Sequence, residues 1–142
     1  MNFYNYIFYS IYKPIEKVNK LSPEIPAVIF LSVLQFVNIY SVILVLNLLP
    51  NTIELNWFYI ALALILLFNY FYFLRNEKWE KIINYYATRK NNKILDFLVF
   101  VYPFLSFYIV FKLLEFNDTT IFIFLTILLI IELYHYFDLD KI

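Results

Sequence analysis

The chain has 142 residues, of which 63% are hydrophobic and only 15% are charged, and its basic and acidic residues balance. Soluble domains contain roughly 45–50% apolar and about 25% charged residues. A soluble domain of this size could not bury the apolar surface of so many hydrophobic residues. Cysteine and glycine are both absent, which excludes disulfides, thiolate metal sites, glycine-rich phosphate loops and GxxxG helix pairs. We therefore expect an integral membrane protein that binds no cofactor, no metal and no nucleic acid.

The first 25 residues combine an apolar helical face with basic residues. Apolar and aromatic side chains recur at helical spacing from Tyr4 to Ile15, and three lysines lie among the opposing polar positions. This pattern is typical of a helix that lies in the membrane interface. We predict an interfacial amphipathic helix within residues 1–25, ended before Pro23. The segment is not expected to be a cleaved signal peptide, because a signal peptide has an earlier apolar run and a small-residue cleavage site.

Four apolar stretches are long enough to cross a bilayer. A spanning helix needs about 20 residues, within a range of about 17–25, to cross roughly 30 Å of hydrocarbon. The connections after the first and third stretches are short and polar, so consecutive helices should be antiparallel. The sequence therefore predicts one all-α membrane domain over residues 1–142, with four transmembrane helices in an antiparallel up-down bundle. These helices are predicted over residues 26–49, 57–74, 94–114 and 119–137.

The long connection between the second and third predicted spans, residues 75–93, has its own amphipathic pattern. Trp79, Ile82, Ile83 and Tyr86 fall at positions i, i+3, i+4 and i+7 among charged residues. No proline or glycine separates this segment from the second span, so that helix is expected to continue through it as a cytoplasmic extension. Two interpretations remain open: a membrane-surface anchor near anionic lipid, and a docking face for a cytoplasmic partner.

Basic residues determine the predicted orientation. Ten of the eleven lysines and arginines lie before the first span, between the second and third spans, or after the fourth. The connections on the other side carry Glu54, Glu115 and Asp118, with Lys112 at a helix end. Because cytoplasmic loops of membrane proteins are enriched in Lys and Arg, both termini and the long connection are predicted to be cytoplasmic.

Polar side chains inside the predicted spans form the candidate site, because each costs free energy in lipid unless it has a partner. At about 1.5 Å per residue, Ser32 lies about 9 Å and Gln35 about 13 Å from the cytoplasmic end of the first span. The other spans place polar residues in the same half of the bundle, which predicts one connected polar cluster. Its predicted members are Ser32, Gln35, Asn38, Asn69, Asp96 and Glu132.

Three interpretations of this cluster remain open. Its hydrogen bonds could set the register of the helices, its side chains could form a pocket for a lipid headgroup, an ion or a proton, or it could contact a partner protein. A metal centre is not expected, since Glu132 and His135 form the only Glu-x-x-His pair and di-iron bundles need two. Pro103, in the middle of the third span, is expected to kink that helix as a hinge or as a packing accommodation.

Residues 32–38, read as Ser-Val-Leu-Gln-Phe-Val-Asn after a basic, aromatic-rich start, resemble small four-helix membrane proteins of A/T-rich bacteria. The resemblance implies a multi-pass protein of the bacterial inner membrane. It implies no activity.

The expected function is that of a non-enzymatic accessory or scaffold protein, because almost no mass lies outside the predicted spans. Its expected partners are the lipid bilayer, anionic lipid at the basic cytoplasmic loop, and either another membrane protein or further copies of itself. The alternative is a small transporter, flippase or pore that uses the polar cluster. A membrane enzyme comes third, with Glu132, His135 and Asp96 as its acid-base candidates.

Overall fold

The computed structural model describes residues 3–46, 55–88 and 93–137, and the side chains of residues 3–46, 56–88 and 94–130. All secondary structure in this part of the chain is helical. A short 3-10 turn, Arg75–Glu77, separates the third and fourth helices. The helices are α1 Phe3–Val18, α2 Glu24–Val45, α3 Leu55–Leu74, α4 Lys78–Ala87, α5 Lys93–Leu113 and α6 Asp118–Phe137.

Among the described residues, three helical segments are long and apolar enough to cross a membrane: Glu24–Val45, Asn56–Ala87 and Ile94–Leu113. Helix α6 has 20 residues, and its part with described side chains, Asp118–Ile130, is apolar. Each of the four predicted spans begins within two residues of an observed helix start. This agreement has a simple cause, since length and apolarity are local properties of the sequence.

Helix α2 is the central element and packs against α3 on one side and α5 on the other. Two contacts show that α2 and α3 are antiparallel. Near one end of the pair, Ser32 of α2 accepts a hydrogen bond from Asn69 of α3. Towards the other end, Tyr40 of α2 makes an edge-to-face contact with Phe58 of α3 at 5.2 Å.

Helices α2 and α5 run in the same direction. The Asn38 amide donates a hydrogen bond to the Tyr102 hydroxyl at 2.7 Å. Further towards the C-terminal end of both helices, Val45 of α2 and Ile109 of α5 line the same groove. Helix α5 continues through Pro103, whose side chain is buried. Because the long connection after α3 carries the chain past α2, the third predicted span lies beside the first one.

Helices α5 and α6 form an antiparallel hairpin. Phe111 and Phe124 contact each other edge to face at 4.9 Å, and Lys112 forms an ion pair with Asp118 at the turn. In the described part of the chain, the main contacts between these helices therefore give the order α3, α2, α5, α6. This row differs from the predicted up-down bundle, in which consecutive helices would all be neighbours.

Helix α1 packs beside these helices, with its axis aligned with those of α2 and α3. Tyr4 donates a hydrogen bond to Asn69 of α3, and Phe8 stacks on Phe73 with ring centroids 4.1 Å apart. From Tyr4 to Phe8 the contacted residue of α3 advances from Asn69 to Phe73, near its C-terminal end, so α1 is parallel to α3 and antiparallel to α2. The apolar face predicted to enter the membrane interface instead covers protein. The Tyr4 hydroxyl donates to an amide oxygen there and the Tyr6 hydroxyl to a carboxylate, and lipid tails supply neither acceptor.

A helix, α4, is present where the extension after α3 was predicted, and it is separate from α3. Asn76 and Glu77 adopt left-handed conformations, with φ of 56° and 53°, so the predicted continuation of α3 as one helix is wrong. Asparagine tolerates this conformation better than most residues, and the turn is made without glycine. After the turn, α4 packs antiparallel to α1: Tyr86 contacts Tyr6 at 5.1 Å.

Candidate functional site

Three of the predicted cluster residues meet at the contact between α2 and α3. The Asn69 side chain is fully buried, and its amide nitrogen donates to Ser32 Oγ at 2.8 Å and to Gln35 Oε1 at 2.7 Å. Ser32 Oγ in turn donates to the backbone carbonyl of Val28 at 2.7 Å. The two helices therefore share one continuous chain of hydrogen bonds.

The fourth member of this group is Tyr4, which comes from α1. Its hydroxyl donates to Asn69 Oδ1, so both ends of the Asn69 amide are engaged. Burial raises the pKa of Tyr4 to about 12. The phenol is therefore protonated at neutral pH and remains a hydrogen-bond donor. We call Tyr4, Ser32, Gln35 and Asn69 the amide cluster.

Three consecutive residues of α1 bind side chains of the spans. Beside Tyr4, Asn5 accepts a hydrogen bond from the Tyr72 hydroxyl at 3.2 Å, and Tyr6 donates to Asp96 at the start of α5. Burial first, and then the Asp96 carboxylate, raise the pKa of Tyr6. Asp96 thus links α1 to α5. The side chains of Tyr4, Asn5 and Tyr6 together attach α1 to both α3 and α5.

Asn38 forms a second polar contact, between α2 and α5. Its amide nitrogen donates to the Leu34 carbonyl and to the Tyr102 hydroxyl, each at 2.7 Å. The described members of the predicted cluster therefore lie in three separate contacts: Ser32 and Gln35 bind Asn69, Asn38 binds Tyr102, and Asp96 binds Tyr6. Glu132 lies outside the described side chains.

The predicted interfacial or partner face on α4 packs towards α1. Ile82 is fully buried and Tyr86 is 9% exposed, while Trp79 and Ile83 are partly buried against the same core. Trp79 contacts Tyr12 of α1 with ring centroids 5.8 Å apart. This face is thus largely occupied by the chain's own first helix.

Every buried side-chain nitrogen or oxygen in the described part of the chain has a hydrogen-bond partner. The groups of the amide cluster are neutral amides and hydroxyls, which donate and accept hydrogen bonds without carrying a charge near neutral pH. Among the described residues, no group of three or more His, Cys, Asp or Glu is placed to hold a metal ion.

The tyrosines of the site are not evident from the sequence pattern. The pattern places Tyr4 on an apolar face and indicates no polar contact for Tyr6, Tyr72 or Tyr102. A tyrosine has an apolar ring and a polar tip, so a hydropathy pattern records the ring and overlooks the hydroxyl. The run Tyr4-Asn5-Tyr6 was the available signal, because three adjacent polar tips on an otherwise apolar segment require three partners.

Comparison with known proteins gives no significant match: no family model, no curated protein and no solved structure is similar to this chain. The resemblance carried by residues 32–38 therefore remains an expectation, and the geometry of the helices is the basis for inferring function.

Proposed function

We propose that this chain is a non-catalytic accessory or scaffold subunit of the bacterial inner membrane, which crosses the bilayer four times with both termini in the cytoplasm. The observation that carries the proposal is that α1 fills the space beside α2, α3 and α5. Its aromatic and aliphatic side chains form the centre of the buried core, including Ile7, Phe8, Ile11 and Tyr12. A filled interior suits a rigid structural element.

The outer face of α3 supports a role in assembly. Trp57, Ile60, Leu64 and Leu67 follow one another at spacings of three, four and three residues, and each is about half exposed or more. Apolar side chains at this spacing form the seam of left-handed helix pairs. We call these four residues the α3 seam. Its proposed occupant is a transmembrane helix of a partner, either another protein or a second copy of this chain.

Purification in mild detergent tests this proposal. The full chain is isolated, its mass is measured by light scattering, and co-purifying proteins are quantified by mass spectrometry. We expect a stoichiometric second protein or a defined homo-oligomer. The variant Leu64→Ala, Leu67→Ala should reduce that association at least fivefold.

The matched control removes similar side chains from α6. Ile123 and Ile127 are also about half exposed, and Ile123→Ala, Ile127→Ala should leave the association intact. A monomer without a stoichiometric partner would refute the accessory role. Equal losses in both double variants would show that the α3 seam has no special part.

A transporter or flippase is the second candidate, and one observation favours it. The amide cluster lies where α1 meets the spans, so movement of α1 away from α2 would uncover Ser32, Gln35 and Asn69. A cross-link between α1 and α3 tests this, using Phe8→Cys and Phe73→Cys in a chain without native thiols. If labelled lipid crosses vesicle membranes before cross-linking and stops crossing afterwards, the transporter role is supported. Absence of transport in both states excludes it under those conditions.

A further inference from the structure

A second groove lies at the C-terminal end of α3, on the side away from the amide cluster. It measures about 290 Å³ and is lined by Tyr70, Phe71, Leu74 and Arg75. Tyr70 and Phe71 are 52% and 59% exposed, whereas Asn69 is fully buried. The groove thus belongs to the uncovered face of a membrane-length helix, and its apolar wall ends at a cationic side chain.

Arg75 is an unpaired cation at this position. It is exposed, and the only ion pair in the described part of the chain joins Lys112 to Asp118. The neighbouring Glu77 is therefore not within ion-pair distance of the guanidinium. Lys78 contributes a second positive charge one turn later, where its amine lies 3.2 Å from the centre of the Tyr72 ring. Two cations, Arg75 and Lys78, therefore lie where α3 ends, with the exposed Glu77 between them in the sequence.

We propose that this groove binds an anionic phospholipid of the cytoplasmic leaflet. One acyl chain lies along Tyr70, Phe71 and Leu74, and the phosphate accepts two hydrogen bonds from Arg75. Arginine suits this role because its planar guanidinium matches the geometry of phosphate oxygens. The proposal depends on membrane residence with the C-terminal end of α3 at the cytoplasmic side. It does not depend on the accessory role.

The acyl groove by itself cannot select a lipid, because lipid tails are as apolar as leucine side chains. Selection must come from the headgroup contact. A cation near an anionic membrane surface contributes about 1 kcal/mol, which corresponds to about a fivefold preference. This preference is the quantity to measure.

The experiment uses the purified full chain in mixed micelles that contain equal amounts of phosphatidylglycerol and phosphatidylcholine. Native mass spectrometry counts the lipids that remain bound. We expect about one phosphatidylglycerol per chain in preference to phosphatidylcholine. Arg75→Gln should reduce this preference about fivefold, and Arg75→Lys should restore only part of it because an ammonium group cannot form the paired contact.

Lys81→Gln is the matched control, since it removes one positive charge from the exposed side of α4 and Lys81 does not line the groove. It should leave the preference unchanged. Equal losses for Arg75→Gln and Lys81→Gln would overturn the proposal in favour of diffuse surface charge. No loss for Arg75→Gln, in a variant whose helicity and melting temperature match the parent, would also overturn it.

A last arm separates the lipid from its headgroup. Glycerophosphoglycerol, which carries the phosphodiester without acyl chains, is added at the concentration of the phosphatidylglycerol. We expect it to leave the bound lipid in place, and Phe71→Ala to weaken lipid retention. Full displacement by the soluble headgroup would show that the site binds phosphate alone and that the apolar groove plays no part.

Discussion

Replacing Asn69 with leucine removes the centre of the amide cluster while keeping a side chain of similar size. The substitution deletes three hydrogen bonds, with Ser32, Gln35 and Tyr4. Hydrogen bonds between helices in membranes contribute about 0.6 kcal/mol each, with a maximum of about 1.7 kcal/mol. We therefore expect Asn69→Leu to lower the free energy of unfolding by about 2 kcal/mol.

A double-mutant cycle tests whether this loss comes from the hydrogen bonds. Tyr4→Phe removes one hydroxyl, and it should cost about 0.6 kcal/mol in the parent chain. In the Asn69→Leu background the same hydroxyl has already lost its acceptor, so Tyr4→Phe should cost nothing further or should stabilise the protein. Unfolding is followed by helicity and tryptophan fluorescence during denaturant titration in detergent.

Tyr70→Phe is the matched control, because Tyr70 is exposed on the same helix. It should leave the stability unchanged within error. A cost below about 0.5 kcal/mol for Asn69→Leu would show that these hydrogen bonds do not stabilise the fold. Simple additivity of the Tyr4 and Asn69 substitutions would show the same, since additivity is the rule for residues that do not interact.

Three further predictions concern the turn, the pH dependence and the orientation. Glu77→Gly should stabilise the protein by about 1 kcal/mol by relieving a left-handed conformation, whereas Glu80→Gly, inside α4, should destabilise it; equal signs in thermal unfolding would contradict this. Burial raises the pKa of Tyr4 to about 12, whereas tyrosine in an unfolded chain has a pKa of about 10. The contribution of Tyr4 to the free energy of unfolding is therefore complete below about pH 10 and is lost as pH rises through the folded pKa. At alkaline pH, the melting temperature should therefore fall less steeply with rising pH for Tyr4→Phe than for the parent chain. An identical pH dependence for the two proteins would refute this. Single cysteines at Thr52 and Asn84 should react with an impermeant maleimide from outside and inside the cell respectively, and the reverse pattern would overturn the orientation.

The sequence determined the helices and most of their starts. The observed starts of α2, α3, α5 and α6 lie within two residues of the predicted ones. This agreement is expected because the length and apolarity of each segment depend only on its own residues. Counting residues from the predicted cytoplasmic ends also placed Ser32, Gln35 and Asn69 at similar depth, and the structure joins these three side chains. Depth follows from a fixed rise per residue and needs no knowledge of neighbours.

Only the tertiary structure decided which helices are neighbours. A long connection after α3 permits more than one lateral arrangement, and hydropathy does not distinguish among them. The chain places α5 beside α2, so Asn38 binds Tyr102 and is separated from the amide cluster. It also breaks the helix at Asn76 and Glu77, where no glycine or proline marks the break.

The position of α1 is the clearest case of a feature that local pattern did not determine. Its amphipathic pattern is equally consistent with a membrane surface and with a protein surface, since both offer an apolar environment to the rings. The hydroxyls and amide of Tyr4, Asn5 and Tyr6 distinguish the two, because only the protein offers fixed partners in Asn69, Tyr72 and Asp96. Those partners come from helices far apart in the sequence, and folding alone brings them within reach of one another.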